Sequence, residues 1–227
     1  MTNTEAPARA AGAIALLPLS FLRASRRHRG VACAMAGALA LSLVGVLALP
    51  AHADTDDSAA SVMLEVDPIP FALSGHAAHV RVSSKRLPGW IMSFGIYGLE
   101  IPGFLTDVNS KNRDEGWNAE IRNAYAVFAD YHFSGRPSGL FVGTQVAYQK
   151  FGLSRDGSVE SRDFGVLMGM VRVGTLWKPF KSNFYVLPWA GIAANLELGD
   201  NDLMLGGEEY DVAPIGGFVT LHLGWQL

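Results

Sequence analysis

His132-Phe133-Ser134 is the spacing in this chain that comes nearest to a catalytic pair. A serine beside a histidine can act as a nucleophile with the imidazole as its base. Two features weigh against that chemistry. No acidic residue follows until Asp156, and Ser134 opens a Ser-Gly-Arg-Pro-Ser stretch in which serine serves turn geometry alone. A second candidate is the acidic run within Gly199–Val212, where Asp200, Asp202, Glu208, Glu209 and Asp211 occur without a lysine or arginine. Such carboxylates can hold Ca²⁺, although the fixed ligand spacing of a calcium loop is missing and a charge run is usually a solvated surface. His76, His79, His132 and His222 are scattered and form no metal-ligand spacing. No glycine-rich phosphate loop is found, and no cofactor or resident metal is expected.

The elements that would carry these residues begin after a targeting segment. Arg23, Arg26, Arg27 and Arg29 precede an apolar run from Val31 to Leu49, and Ala51-His52-Ala53 fits a small-x-small cleavage pattern. The expectation is a signal peptide over residues 1–53 and a mature domain over 54–227. The single cysteine, Cys33, falls in the signal, so the mature domain has no thiol chemistry. Five of the 18 Lys+Arg and one of the 21 Asp+Glu also fall there, leaving 13 basic against 20 acidic residues and a formal net of −7. A nucleic-acid partner needs a basic footprint and is excluded.

The mature chain lacks long stripes of helical period. It shows instead runs of alternating character closed by Gly, Pro, Asn or Ser, as strands require. Eight are read: Ser61–Asp67, Phe71–Ser83, Trp90–Leu99, Asn118–Phe133, Leu140–Phe151, Phe164–Trp177, Phe184–Leu198 and Gly216–Leu227. Asn118–Phe133 alternates most clearly, and the last run sets Val219, Leu221, Leu223, Trp225 and Leu227 opposite Phe218, Thr220, His222, Gly224 and Gln226. The pattern of Phe164–Trp177 changes phase near Met170-Val171, and a bulge is expected there. Connections alternate between long polar ones (Glu100–Trp117, Gly152–Ser161, Gly199–Val212) and short ones rich in Pro and Gly (84–89, 134–138, 178–183). This parity is that of transmembrane barrels, with short turns on one side and longer loops on the other.

Signal, length, eight runs, loop parity and the terminal amphipathic strand together resemble the small eight-stranded outer-membrane proteins of the OmpA/OmpX type. The resemblance spans Ser61–Leu227 and is one of architecture. It implies an eight-stranded antiparallel transmembrane β-barrel in the cell outer membrane. The implied role is structural or surface-interacting, and the implied state a monomer. Its expected partners are outer-membrane lipid, lipopolysaccharide and the barrel-insertion machinery, with the acidic loop able to bridge cation-laden lipopolysaccharide.

Eight strands enclose just enough room for side chains. The expected interior is a packed polar plug of Arg81, Glu120, Arg122, Asp130, His132, Arg172, Glu197 and His222, joined by His79, Gln145, Gln149 and Gln226. Both signs of charge occur, and desolvated charges persist only when paired. Trp90, Tyr131, Phe133, Trp177 and Trp225 sit near the short turns, as an aromatic girdle would. The lipid A 3-O-deacylases resemble this pattern too, being eight-stranded barrels with a His-x-Ser motif. That resemblance would make Ser134 the nucleophile and His132 its base, yet it requires a lipid-facing site near the outer leaflet. The expectation is therefore no enzyme. The rival is a soluble ligand-binding barrel of the lipocalin kind, which needs an apolar interior and a polar exterior.

Overall fold

The computed structural model describes residues 61–180, 182–199 and 203–227; the expected signal segment lies outside them. Eight antiparallel strands close into one ring. They are β1 (Ser61–Val66), β2 (His76–Ser83), β3 (Trp90–Ile101), β4 (Trp117–His132), β5 (Gly139–Arg155), β6 (Ser161–Leu176), β7 (Phe184–Leu198) and, after a small hairpin of β8 (Met204–Leu205) and β9 (Glu208–Glu209), β10 (Ile215–Gln226). Each strand pairs with its chain neighbour, and β1 pairs with β10, so that Met63 lies across from Gln226 and Val66 across from Leu223. Closure leaves no sheet edge with unpaired amides and carbonyls. The ring is the eight-stranded antiparallel barrel that the alternation predicts.

Alternation sets the two faces. In β10, Thr220, His222 and Gly224 are buried while Val219 and Trp225 are exposed. In β5 the odd residues from Phe141 to Gln149 are buried, and Leu140, Val142, Thr144, Val146 and Tyr148 point outward. The phase of β6 never slips: even residues from Phe164 to Arg172 are all buried, and its registers with β5 and β7 are continuous. The expected bulge at Met170-Val171 is absent. The misleading pattern arises because the inward side chains Phe164, Val166, Met168 and Met170 are themselves apolar.

The bulges fall elsewhere. Register shifts occur between Tyr97 and Leu99 on β3 and between Ile121 and Asn123 on β4. Arg122 is the extra residue against β5, so the inward set changes from Ala124, Ala126, Phe128 and Asp130 below it to Trp117 and Ala119 above it. A bulge re-aims side chains in this way.

Two connections differ from the reading of the sequence. Residues 71–75 are not strand: Pro68–Ala72 form a short helix, α1, with Asp67 as N-cap accepting from Ile69 N at 2.9 Å and prolines in its first turn. The β5–β6 connection is only 156–160, because both strands continue upward instead of ending near residue 151. The barrel is therefore tall over β4, β5 and β6 and low over β1 and β2, which have six and eight residues.

Candidate functional site

The centre of the barrel is an ion-pair network made from both halves of the chain. Asp130 on β4, Gly143 on β5 and Arg172 on β6 lie in one cross-strand row. Arg172 reaches across the glycine and donates to Asp130 through Nε (3.0 Å) and Nη2 (2.6 Å). The row depends on glycine, since a Cβ at residue 143 would stand 2.0 Å from Asp130 Oδ1. Arg81 enters from β2, with Nη2 3.2 Å from Asp130 Oδ2 and Nε 3.3 Å from Glu65 Oε1. Two guanidiniums and two carboxylates thus share one desolvated volume, and their formal charges cancel. Burial of such ions is tolerated only when they are paired. Each of the four has an opposite charge within 3.3 Å, while Arg81 Nη1 and Arg172 Nη1 are buried with no hydrogen-bond partner among the described residues. Around Arg172 the rings of Phe128, Trp189 and Phe141 stand 4.3, 4.9 and 5.5 Å from the guanidinium carbon, a cation–π enclosure.

Glu65 also accepts from Tyr185 OH at 2.8 Å, and its other oxygen lies 2.9 Å from His222 Nδ1. Trp189 Nε1 donates to His222 Nε2 at 3.2 Å, which assigns the His222 proton to Nδ1 and makes that nitrogen the donor to Glu65. His79 stacks on His222 with centroids 4.5 Å apart. Among the described residues Glu65, His79 and His222 form the one His/carboxylate group compact enough for a metal ion. Both ring nitrogens of His222 and both oxygens of Glu65 are already spoken for by the hydrogen bonds above. Thr220 donates to Asp67 at 2.5 Å next to this group. Higher up, Gln149 Nε2 donates to Tyr97 OH at 2.6 Å.

The mouth at the long-loop end is apolar. Leu203, just before the β8–β9 hairpin, and Leu205, within β8, pack on Trp117, Leu153, Phe164 and Val166. Arg155 clamps this cap: its Nε and Nη2 hold Glu115 at 2.7 and 2.9 Å, and Nη1 donates to Gly206 O at 3.2 Å. Tyr210 closes the edge against the Trp117 ring at 5.4 Å, where burial and then the Asp211 carboxylate push its phenol up to about 12. The interior is thus mixed in its lower and middle part, where the ion network sits among buried Met63, Ile91, Phe141, Leu176 and Leu187, and apolar at the top, not a polar plug throughout.

Of the predicted interior set, Arg81, Asp130, His132, Arg172 and His222 are buried in this network; His79, Gln145 and Gln149 are buried too, with Gln149 on Tyr97 instead of on the ion pairs. Glu197 keeps the inward register of β7 and is half-buried, and Gln226 bridges Lys178 and Ser61 at the lower rim. Glu120 and Arg122 belong elsewhere. The β4 bulge turns both to the outer surface, where Arg122 pairs with Glu120 at 2.8 Å and Asp163 at 2.9 Å. Glu65 and Tyr185 were missed. Met63, Glu65 and Asp67 alternating with Val62, Leu64 and Val66 was the available signal for Glu65. Tyr185 needs a bare neighbour, since a Cβ at Gly224 would meet its ring at 2.2 Å.

The girdle residues all face outward at the short-turn end: Trp90, Tyr131, Phe133, Trp177 and Trp225 are exposed. Trp90 and Tyr131 lie 5.4 Å apart, and Tyr131 and Phe133 5.7 Å. His132 and Ser134 do not hydrogen-bond to each other. His132 Nε2 lies 3.3 Å from Arg81 Nη2, while its Nδ1 and the Ser134 hydroxyl both face Ser138 O, at 3.3 and 2.7 Å. In the acidic loop, Asp200 and Asp202 lie outside the described residues. Glu208 and Glu209 are exposed on β9. Asp211 does not wait for a cation: Lys111 Nζ sits 2.5 Å from Oδ1, Asn109 donates to Oδ2 at 3.1 Å, and Asn112 brackets the backbone.

No family model and no curated protein matches this chain. Three solved structures are similar to it in fold. The N-terminal β-barrel domain of Pseudomonas aeruginosa OprF is 15% identical, with TM-score 0.43, covering 74% of this chain and 97% of that one. A major outer membrane protein from Thermus thermophilus is 13% identical, with TM-score 0.41, covering 74% and 100%. Neisserial surface protein A is 11% identical, with TM-score 0.38, covering 74% and 94%. The barrel itself is read from its own strand order.

Proposed function

We propose that this chain is an integral outer-membrane β-barrel with a structural or surface-interaction role, an interior closed by packed side chains, and no catalytic centre. One observation carries the reading. The outward positions of all eight strands, from the Trp/Tyr/Phe girdle up to Tyr125 and Tyr148, hold no Asp, Glu, Lys or Arg. A soluble barrel would place its charges there and keep its interior apolar, the inverse of Arg81, Asp130 and Arg172. From Leu140 to Tyr148 the apolar face of β5 rises eight residues. At about 3.4 Å per residue and a tilt near 40° this is roughly 20 Å, close to the ~25 Å band of transmembrane barrels. Acyl chains are the solvent that suits such a face.

The role follows from what the barrel offers. Its lumen is filled by the ion network below and the Leu203/Leu205 cap above, which supports a plugged wall over a pore. What it presents outward is the cap, knitted from residues 102–116 and 203–214. The test is fractionation of cells expressing the full chain, followed by electrophoresis with and without boiling. A membrane-bound band that migrates faster unboiled is expected; a soluble, heat-insensitive band contradicts the reading. Planar-bilayer recordings should show no steady large openings.

A further inference from the structure

On the tall side of the wall, four charged side chains sit directly above the apolar belt. Glu120, Gly152 and Asp163 form one cross-strand row on the outer face of β4, β5 and β6. Arg122, pushed outward by the bulge, lies across the bare backbone of Gly152, where a Cβ would stand 2.5 Å from its Nε. It bridges Glu120 and Asp163, and Lys150 Nζ meets the other Asp163 oxygen at 3.0 Å. The tyrosines Tyr125 and Tyr148, across from each other on β4 and β5, are outward-facing just below. On the low side, Val66, Leu198 and Ile215 carry the apolar face to the strand tops without a charge.

We propose that Arg122 and Lys150 form a binding site for the phosphate of a membrane lipid headgroup in the leaflet on the long-loop side. The proposal rests on the membrane reading above. If the belt lies in hydrocarbon, these cations stand at headgroup depth on one sector of the barrel. Arg122 spends Nε and Nη1 on protein carboxylates, and no partner among the described residues takes its Nη2; Lys150 spends one of three ammonium donors. All four side chains are about 40–50% exposed, so their mutual pairing is weak and open to exchange. Asp163 competes with the phosphate for both cations, and Glu100 across from Glu120 adds a further negative charge nearby. The acids therefore tune the site against a non-specific anion surface.

The experiment is native mass spectrometry of the folded full-length barrel released from micelles containing bisphosphorylated lipid A or its dephosphorylated form. Wild type should retain the phosphorylated lipid preferentially. Each cation near an anionic surface contributes roughly fivefold; Arg122→Gln with Lys150→Gln should cut retention at least about tenfold, and Asp163→Asn should raise it. Equal retention by the double variant, equal retention of dephosphorylated lipid, or displacement by millimolar inorganic phosphate overturns the site. Heat-shifted mobility of every variant separates these outcomes from failure of the membrane reading, in which the wild type itself would not insert into vesicles.

Discussion

Two rows cross β4, β5 and β6 by the same device, one inside the wall and one outside. Inside, Asp130, Gly143 and Arg172 stand in register, and an arginine spans the glycine to reach its carboxylate. Outside, Glu120, Gly152 and Asp163 stand in register, and Arg122 spans the glycine to touch both acids. Bond lengths are alike, but surroundings are not. Asp130 and Arg172 have side chains no more than 1% exposed, whereas Arg122, Glu120 and Asp163 are about two-fifths exposed. Water replaces a lost partner outside and cannot do so inside. The lesson is that geometry sets which groups meet, while solvent access decides what the meeting contributes.

The comparison breaks most sharply at Asp130. Asp130→Ala leaves Arg81 and Arg172 as buried charges short of one anion, and should destabilise the barrel by about 3–5 kcal/mol. Urea unfolding in micelles, read as loss of the fast-migrating folded band, checks this. Placing a cation on the other side of the same wall tests the lipid face: Val171→Arg, one residue from Arg172 but outward, should cost about 2–4 kcal/mol in a bilayer. The same substitution in a soluble barrel would cost almost nothing.

The glycines give a matched pair. Gly143→Ala drives a Cβ against Asp130, fixed by two arginines, and should cost about 1–3 kcal/mol. Gly152→Ala meets only half-exposed ends of Arg122 and Glu120, which swing away, so its effect stays below about 1 kcal/mol. Equal losses in the two variants would contradict the account of the rows. Arg155→Ala releases the cap from Glu115 and the hairpin carbonyls, and should cost about 1–2 kcal/mol. Its sharper signature is protease cleavage within residues 203–214 of the folded protein, where wild type should resist. Smallest of all, Arg122→Gln should shift the unfolding midpoint by less than about 1 kcal/mol while changing lipid retention.

Strand number, ring order, the outward set and most of the inward set were legible in the sequence, because a period of two needs only residue type. Asp130, Arg172 and His222 could be placed inside for that reason. Glu120 and Arg122 could not be placed correctly, since one extra residue reverses every side chain beyond it and nothing in Ile121-Arg122-Asn123 announces the bulge. The apolar upper interior hid behind the outer face, so that Phe164–Met170 read as a broken alternation. Tertiary chemistry was less visible still. That Arg81 joins Glu65 to Asp130, or that Lys111 claims Asp211, depends on residues brought together by ring closure and loop packing.

The central claim is that the oily face meets acyl chains while Arg81, Asp130 and Arg172 stay dry within. It is tested most directly by spin labels on single cysteines in a Cys33-free background, placed at Val127, Val171 and Leu221 in vesicle-embedded protein. The account predicts collision with lipid-soluble oxygen and shielding from a water-soluble nickel chelate at all three. Free access of the chelate to these positions would contradict it.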